Sequence, residues 1–192
     1  MAQRKSSPQQ VRIIGGKYGG RKLRFTGDAS LRPTLGRTRE TLFNWLRPDI
    51  ADTRCLDAYA GSGALGFEAL SQGAAAVVLL EKHAPTVRSL EATATDLGVV
   101  DNCHIVRTDT LDYLKNCVEA FDIVFVDPPF DDPSLLTQTL ELLTQRSLVK
   151  QLIYAEARTM SVLEEAAQHS NLELIRQTRS GDTVAALLIP CN

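Results

Sequence analysis

Cysteine is scarce in this chain and histidine scarcer. Four cysteines, at 55, 103, 117 and 191, stand among 192 residues with no C-x-x-C spacing. That argues against a zinc ribbon or a disulfide framework and reads as reduced thiols in a cytoplasmic protein. The three histidines, His83, His104 and His169, are scattered, whereas a metal site needs a cluster, so no metal is expected. No apolar run approaches the roughly 20 residues of a membrane span. No signal-peptide pattern opens the chain. Internal repeats are absent, and nothing beyond the first ten residues is of low complexity. These absences leave one soluble domain, of a length that supports one sizeable core.

The charge is unevenly spread. Residues 1–40 hold ten Lys and Arg against two acids, a balance of +8, while residues 41–192 carry −10. A basic arm on an acidic body suits local contact with phosphates, while the body discourages indiscriminate nucleic-acid binding. Residues 1–10, with Ser-Ser-Pro-Gln-Gln, read as a flexible basic tail. Beyond them the pattern is ordered. Val11–Ile14 and Leu23–Phe25 are strand-like runs joined by Gly15-Gly16-Lys17-Tyr18-Gly19-Gly20, which predicts a β-hairpin with a glycine-rich tip. Lys17, Tyr18, Arg21, Lys22 and Arg24 decorate it, and Arg32, Arg37 and Arg39 follow on a loop and helix start. These eight are the candidate RNA contacts. Thr38–Leu46 reads as an amphipathic helix, with Trp45 assigned to packing rather than base stacking.

Two motifs carry chemistry. Residues 121–130 read Phe-Asp-Ile-Val-Phe-Val-Asp-Pro-Pro-Phe. Ile123–Val126 form a buried strand, and Pro128 and Pro129 must end it because they donate no hydrogen bond and fix φ. Asp127 and Phe130 then stand at the carboxyl tip, where open α/β sheets bind ligands. An acid, carbonyls without competing amides and a ring suit a planar base and its amino group. Upstream, a strand ends near Asp57, and Gly61, Gly63 and Gly66 form a G-x-G-x-x-G turn into a helix. Twenty residues after Gly61 the strand Val77–Leu80 ends in Glu81, which can accept ribose hydroxyls. A dinucleotide dehydrogenase would place a pyrophosphate at that helix. S-adenosylmethionine has no phosphate but carries an ammonium and a sulfonium, and Asp57 suits the cationic end. Hydride transfer would leave Asp127–Phe130 unexplained, so methyl transfer to an amine is the better account.

Strands are predicted at 53–57, 76–81, 103–107, 121–126, 151–157, 171–178 and 183–189. Helices are predicted at 64–72, 84–97, 110–118, 133–146 and 160–168. A short turn near Ser180-Gly181-Asp182 makes the last two strands an antiparallel hairpin.

On these residues the chain resembles the bacterial 16S rRNA guanine-N(2) methyltransferases of the RsmD type. The shared stretches are Arg12-Ile-Ile-Gly-Gly16 with Gly20-Arg-Lys-Leu23, Leu31-Arg-Pro-Thr34 with Arg37, and Arg39–Leu46. They continue through Ala60–Gly66, Glu68-Ala-Leu-Ser71 with Gly73-Ala74, and Asp127-Pro-Pro-Phe130. Gly36 departs from the acidic residue expected there, and Asp109 stands where relatives can carry Asn. The resemblance implies an α/β, class I (Rossmann-like) methyltransferase fold: a seven-stranded, mostly parallel sheet with a C-terminal antiparallel hairpin, plus an N-terminal β-hairpin extension. It implies an RNA-binding extension over 11–46 and a methyltransferase domain over 47–192. The donor would be S-adenosyl-L-methionine. The acceptor would be the 2-amino group of a guanine in 16S rRNA, guanine 966, within a small-subunit or assembly-intermediate particle.

The roles follow from that. Asp57 faces the methionine end of the donor, and Ala60, Gly61, Ser62 and Gly63 pack their backbone on it. Glu81, with Lys82 beside it, takes the ribose. Asp109 and Thr110 hold the adenine. The flipped guanine lies on Phe130, and Asp127 and the Pro128 carbonyl accept its amino hydrogens, with Pro129 completing the tip. Two alternatives stand beside this: an adenine 6-amino methyltransferase acting on DNA or RNA, and a nucleotide-binding module without catalysis.

Overall fold

The computed structural model describes residues 9–25, 34–132 and 134–191. Arg32 and the residues around it, 26–33, lie outside the described residues, as do residues 1–8.

The chain opens with an antiparallel strand pair, β1 (Gln9–Arg12) and β2 (Lys22–Phe25), in the register Val11↔Leu23. Helix α1 (Thr34–Leu46) follows. Then strands and helices alternate: β3 (Arg54–Asp57), α2 (Ala64–Gln72), β4 (Ala76–Glu81), α3 (Ala84–Leu97), β5 (Cys103–Arg107), α4 (Thr110–Asn116), β6 (Phe121–Val126), α5 (Ser134–Gln145), β7 (Val149–Ala157) and α6 (Met160–His169). The chain closes on β8 (Leu172–Ser180) and β9 (Thr183–Pro190).

Seven strands form one sheet in the order β5-β4-β3-β6-β7-β9-β8. The pairs from β5 to β7 are parallel. β9 enters antiparallel between β7 and β8. Seven strands with a terminal antiparallel hairpin is the expected doubly wound arrangement, and the element bounds fall within two residues of those predicted, save the start of α1.

Alternation along the central strands divides the core into two faces. Cys55, Val77, Leu79, Ile123, Phe125, Tyr154 and Leu187 pack with Leu42, Phe43, Leu46, Phe67 and Leu90 on one side of the sheet. Leu56, Val78, Leu80, Val124, Val126, Ile153 and Ala155 pack with Leu114, Leu140 and Leu163 on the other. Trp45 packs half-buried against the first of these, as predicted for a packing tryptophan.

The N-terminal strand pair is fastened to that first face. Ile13 and Leu23 enter the core. The loop between β1 and β2 makes a 3-10 turn, Gly16–Tyr18, rather than a free tip. At Gly16, φ is +73° and an added Cβ would meet the Ser71 carbonyl oxygen at 1.8 Å, so only glycine lets the tip lie on the end of α2. Ser71 Oγ accepts the Tyr18 amide at 2.9 Å and donates to the Gly15 carbonyl at 2.5 Å.

Arg39 overturns one sequence-based expectation. It is buried, donates to the Arg12 carbonyl and sits 3.8 Å from the Glu68 carboxylate. It clamps α1 to β1 and α2 and is not available as an RNA contact.

Candidate active site at the carboxyl edge

The strand order reverses between β3 and β6, leaving a crevice beyond their carboxyl ends. Into this edge β3 delivers Asp57, β4 delivers Glu81, the β5–α4 link delivers Asp109, and β6 runs out into Asp127. Sequence separations of up to 70 residues thus collapse to neighbouring strand tips.

The glycine turn follows β3. Gly61 and Gly63 take φ of +50° and +74°, a region open to glycine without a Cβ penalty. The Ala60 amide donates to Leu80 at 2.9 Å, and Gly63 donates to Ala60 at 2.7 Å, so the turn is held against β4. A Cβ on Gly61 would meet only the Tyr59 carbonyl, at 3.9 Å. The backbone there lies open, as a ligand-facing turn requires. Ser62 beside it is half-buried.

Asp57 is buried at 2 % exposure, and its Oδ2 accepts the Gly66 amide at 3.0 Å. Burial pushes its carboxyl up to about 7, opposed by the Gly66 and Tyr59 amides and reinforced by the charge of Glu81. Glu81 is half-buried, with Oε1 accepting the His83 amide at 2.7 Å. Lys82 is exposed, and its carbonyl receives Arg107 Nε at 3.5 Å. Asp109 caps α4, its Oδ1 accepting the Leu111 amide at 3.0 Å. Thr110 is buried, and its hydroxyl donates to the Ala58 carbonyl.

Asp127 is half-buried, Pro128 buried, Pro129 exposed and Phe130 half-buried. Among the described residues nothing donates a hydrogen bond to the Asp127 carboxyl. Burial holds it well above the usual carboxylate range, and the charges of Glu156 and Asp57 push it further. Sequence reasoning missed Glu156. It is 5 % exposed, accepts the Tyr154 hydroxyl at 2.6 Å, and is itself raised by burial. In the β6–β7 register Val126 faces Ala155, which brings Asp127 level with Glu156. The signal in the sequence was a carboxylate near the end of the strand predicted over 151–157.

Asp57, Glu81, Asp109, Asp127 and Glu156 therefore gather at one edge, and among the described residues no Lys or Arg is hydrogen-bonded to their carboxylates. The ammonium and sulfonium of S-adenosylmethionine would balance these carboxylates, and the open Gly61 backbone gives the cofactor a cradle. The residues fit that cofactor. Cys55 and Cys103 are unsuited as nucleophiles, because burial pushes both thiols up to about 12.

Of the candidate RNA residues, Lys22, Arg24 and Arg37 are exposed. Lys17 lies over the Tyr18 ring at 5.2 Å, with Tyr18 half-buried against the core. Arg21 donates to the Asp96 carbonyl at the end of α3 at 2.8 Å.

The family model described as conserved hypothetical protein 95 matches residues 11–189. The chain is 40% identical over 184 residues to the ribosomal RNA small subunit methyltransferase D of Escherichia coli strain K12, covering 95% of this chain and 91% of the relative. It is 42% identical over 152 residues to the protein of that name from Haemophilus influenzae, covering 77% and 78%. A solved structure of a putative methyltransferase from Escherichia coli superposes with a TM-score of 0.82 at 39% identity, covering 94% of this chain and 97% of that one. With nearly its whole length matched, the chain belongs to the family described as conserved hypothetical protein 95, that of the small-subunit ribosomal RNA methyltransferases D.

Proposed function

We propose that this chain methylates the 2-amino group of a guanine in 16S rRNA, guanine 966, within a small-subunit or assembly-intermediate particle. The observation that carries the reading is the Asp127 carboxyl at the tip of β6, to which no described residue donates a hydrogen bond, one strand from the open glycine turn after β3. S-adenosylmethionine, when bound, would supply an electrophilic methyl group, its sulfur–methyl bond breaking with the electron pair left on sulfur so that S-adenosylhomocysteine departs.

The chain's own residues divide the remaining work. Asp57 balances the positive amino-acid end, Glu81 accepts ribose hydroxyls, and Asp109 with the Thr110 backbone contacts the adenine. Phe130 offers its ring to the extruded guanine. Asp127 and the Pro128 carbonyl accept the two amino hydrogens. The guanine amine is a poor nucleophile because its lone pair is delocalised into the ring. Two acceptors that pull its hydrogens to one side turn the lone pair outward, and positioning supplies much of the rate. As the nitrogen–methyl bond forms, the amine must release one proton, and Asp127 is the titratable group beside it. Lys17, Tyr18, Arg21, Lys22, Arg24 and Arg37 form the basic extension that meets RNA phosphates.

The test is methyl transfer from labelled S-adenosylmethionine to small-subunit particles, naked 16S rRNA and DNA, followed by nucleoside digestion. Label in N2-methylguanine at one rRNA position supports the reading. Label in N6-methyladenine, or transfer to DNA alone, sinks it.

A further inference from the structure

A second feature lies on the same edge. The β7–α6 corner and the β8–β9 turn enclose a groove of about 390 Å³, lined by Arg158, Thr159, Gln177, Thr178 and Arg179 among others. Its position follows from the topology. β7 runs parallel to β6, so Arg158 emerges beside the Asp127–Phe130 tip. β9 runs antiparallel to β7, and Val184 pairs with both Ala157 and Arg179, which brings the β8–β9 turn to that edge. The Arg158 guanidinium lies over the Phe130 ring, 5.6 Å from its centroid. Groove and catalytic tip are therefore continuous through one cation–π contact.

The chemistry of the lining is specific. Both Arg158 and Arg179 are exposed. Arg179 Nε reaches the Gly181 carbonyl at 3.5 Å, at the outer limit of a hydrogen bond. Gln177 and Thr178 add neutral hydrogen-bonding side chains. The adjoining β6 tip is acidic at Asp127, so this pair of arginines stands beside charge of opposite sign. Planar guanidinium forks match phosphate oxygens bidentately. An extruded nucleotide cannot be presented without its flanking phosphates passing over the adjoining surface.

We infer that this groove binds the RNA backbone next to the extruded guanine, with Arg158 and Arg179 on flanking phosphates. Arg158 holds one face of Phe130 and leaves the opposite face for the base. The RNA is thus held by the N-terminal basic extension and by this C-terminal groove. This rests on the proposed rRNA substrate.

The test compares wild type, Arg158→Ala/Arg179→Ala and Arg158→Lys/Arg179→Lys. Affinity for a 16S rRNA fragment is measured across a salt series, and S-adenosylhomocysteine affinity is measured by calorimetry. With alanines, RNA affinity is expected to fall about tenfold or more, and the slope of log affinity against log salt to flatten by about 1.4 for two single-strand phosphate contacts. S-adenosylhomocysteine binding should be unchanged, which also shows that the variant is folded. Lysines should restore the slope while recovering only part of the affinity, since a point charge cannot reproduce the fork. An alanine variant with the wild-type slope and affinity overturns the groove proposal alone. Failure of wild type to bind the fragment overturns the underlying rRNA reading, and this one with it.

Discussion

Glu68 reaches from α2 to the backbone of residues 14 and 15. Its Oε2 accepts the Ile14 amide at 2.7 Å and its Oε1 the Gly15 amide at 3.0 Å. The side chain is 0 % exposed and also receives Gln72 Nε2 at 3.0 Å. Helix α2 therefore starts at the glycine turn and ends by holding the basic strand pair.

Glu68→Ala should strip two amides and the buried Arg39 guanidinium of their partner. Removing one member of a buried pair costs about 3–5 kcal/mol. Equilibrium denaturant unfolding will show the loss, and Glu68→Gln, which keeps an acceptor, should lose much less. An alanine variant as stable as wild type would mean that the strand pair is held by apolar packing alone.

Asp127→Ala should lower turnover by about a hundredfold or more, the scale for a lost catalytic hydrogen-bond partner. S-adenosylhomocysteine affinity should stay within a few-fold, since the tip faces the acceptor. Asp127→Asn separates two roles. It keeps a carbonyl acceptor and loses the base, so substantial residual turnover assigns Asp127 to orientation, while turnover as low as alanine's assigns it the proton.

Glu81→Ala should weaken S-adenosylhomocysteine binding by about 1.5–3 kcal/mol, as hydrogen bonds to a charged group do. Calorimetry reads this directly. Unchanged affinity would show that the ribose is held elsewhere.

Asp57 gives a pH signature. Its folded value of about 7 lies above the ordinary carboxylate value. From about pH 4, where unfolded aspartates lose their proton, up to about 7, the folded state therefore binds more protons than the unfolded state. Its contribution to stability is present below pH 4, falls across that window and is flat above it. A cationic ligand reverses the penalty by favouring the ionised form. Binding of S-adenosylhomocysteine, whose amino group is an ammonium, at pH 6 should thus release up to about one proton, and at pH 8 almost none. Calorimetry in buffers of different ionisation enthalpy measures this. Equal release at both pH values would remove Asp57 from the ligand's charged end.

Lys17, Lys22 and Arg24 are exposed on the N-terminal pair. Neutralising all three should leave S-adenosylhomocysteine binding intact and flatten the salt slope of RNA affinity by about 2 to 3, at 0.7–0.9 per phosphate contact. A wild-type slope would make this charge a solvated face only.

Much of this was legible in residue order because the signals are local. Alternating apolar residues, glycine punctuation and the two prolines after Asp127 constrain the backbone over a few residues each. They placed every strand of the sheet and brought Asp57, Glu81, Asp109 and Asp127 to strand tips. What tertiary structure alone decided depends on contacts between distant segments. Arg39 reads as one more cation in a basic arm, yet a Glu68 29 residues away and the Arg12 carbonyl draw it inward. The glycine-rich loop reads as a hairpin tip, and its docking onto Ser71 and Glu68 is visible only in the fold. Glu156 and Arg158 read as strand-end polar residues, and only the parallel pairing of β7 with β6 sets one beside Asp127 and the other over Phe130. Local sequence constrains φ, ψ and burial periodicity; which buried charge meets which partner is set by strand order and register, which no short stretch of residues encodes.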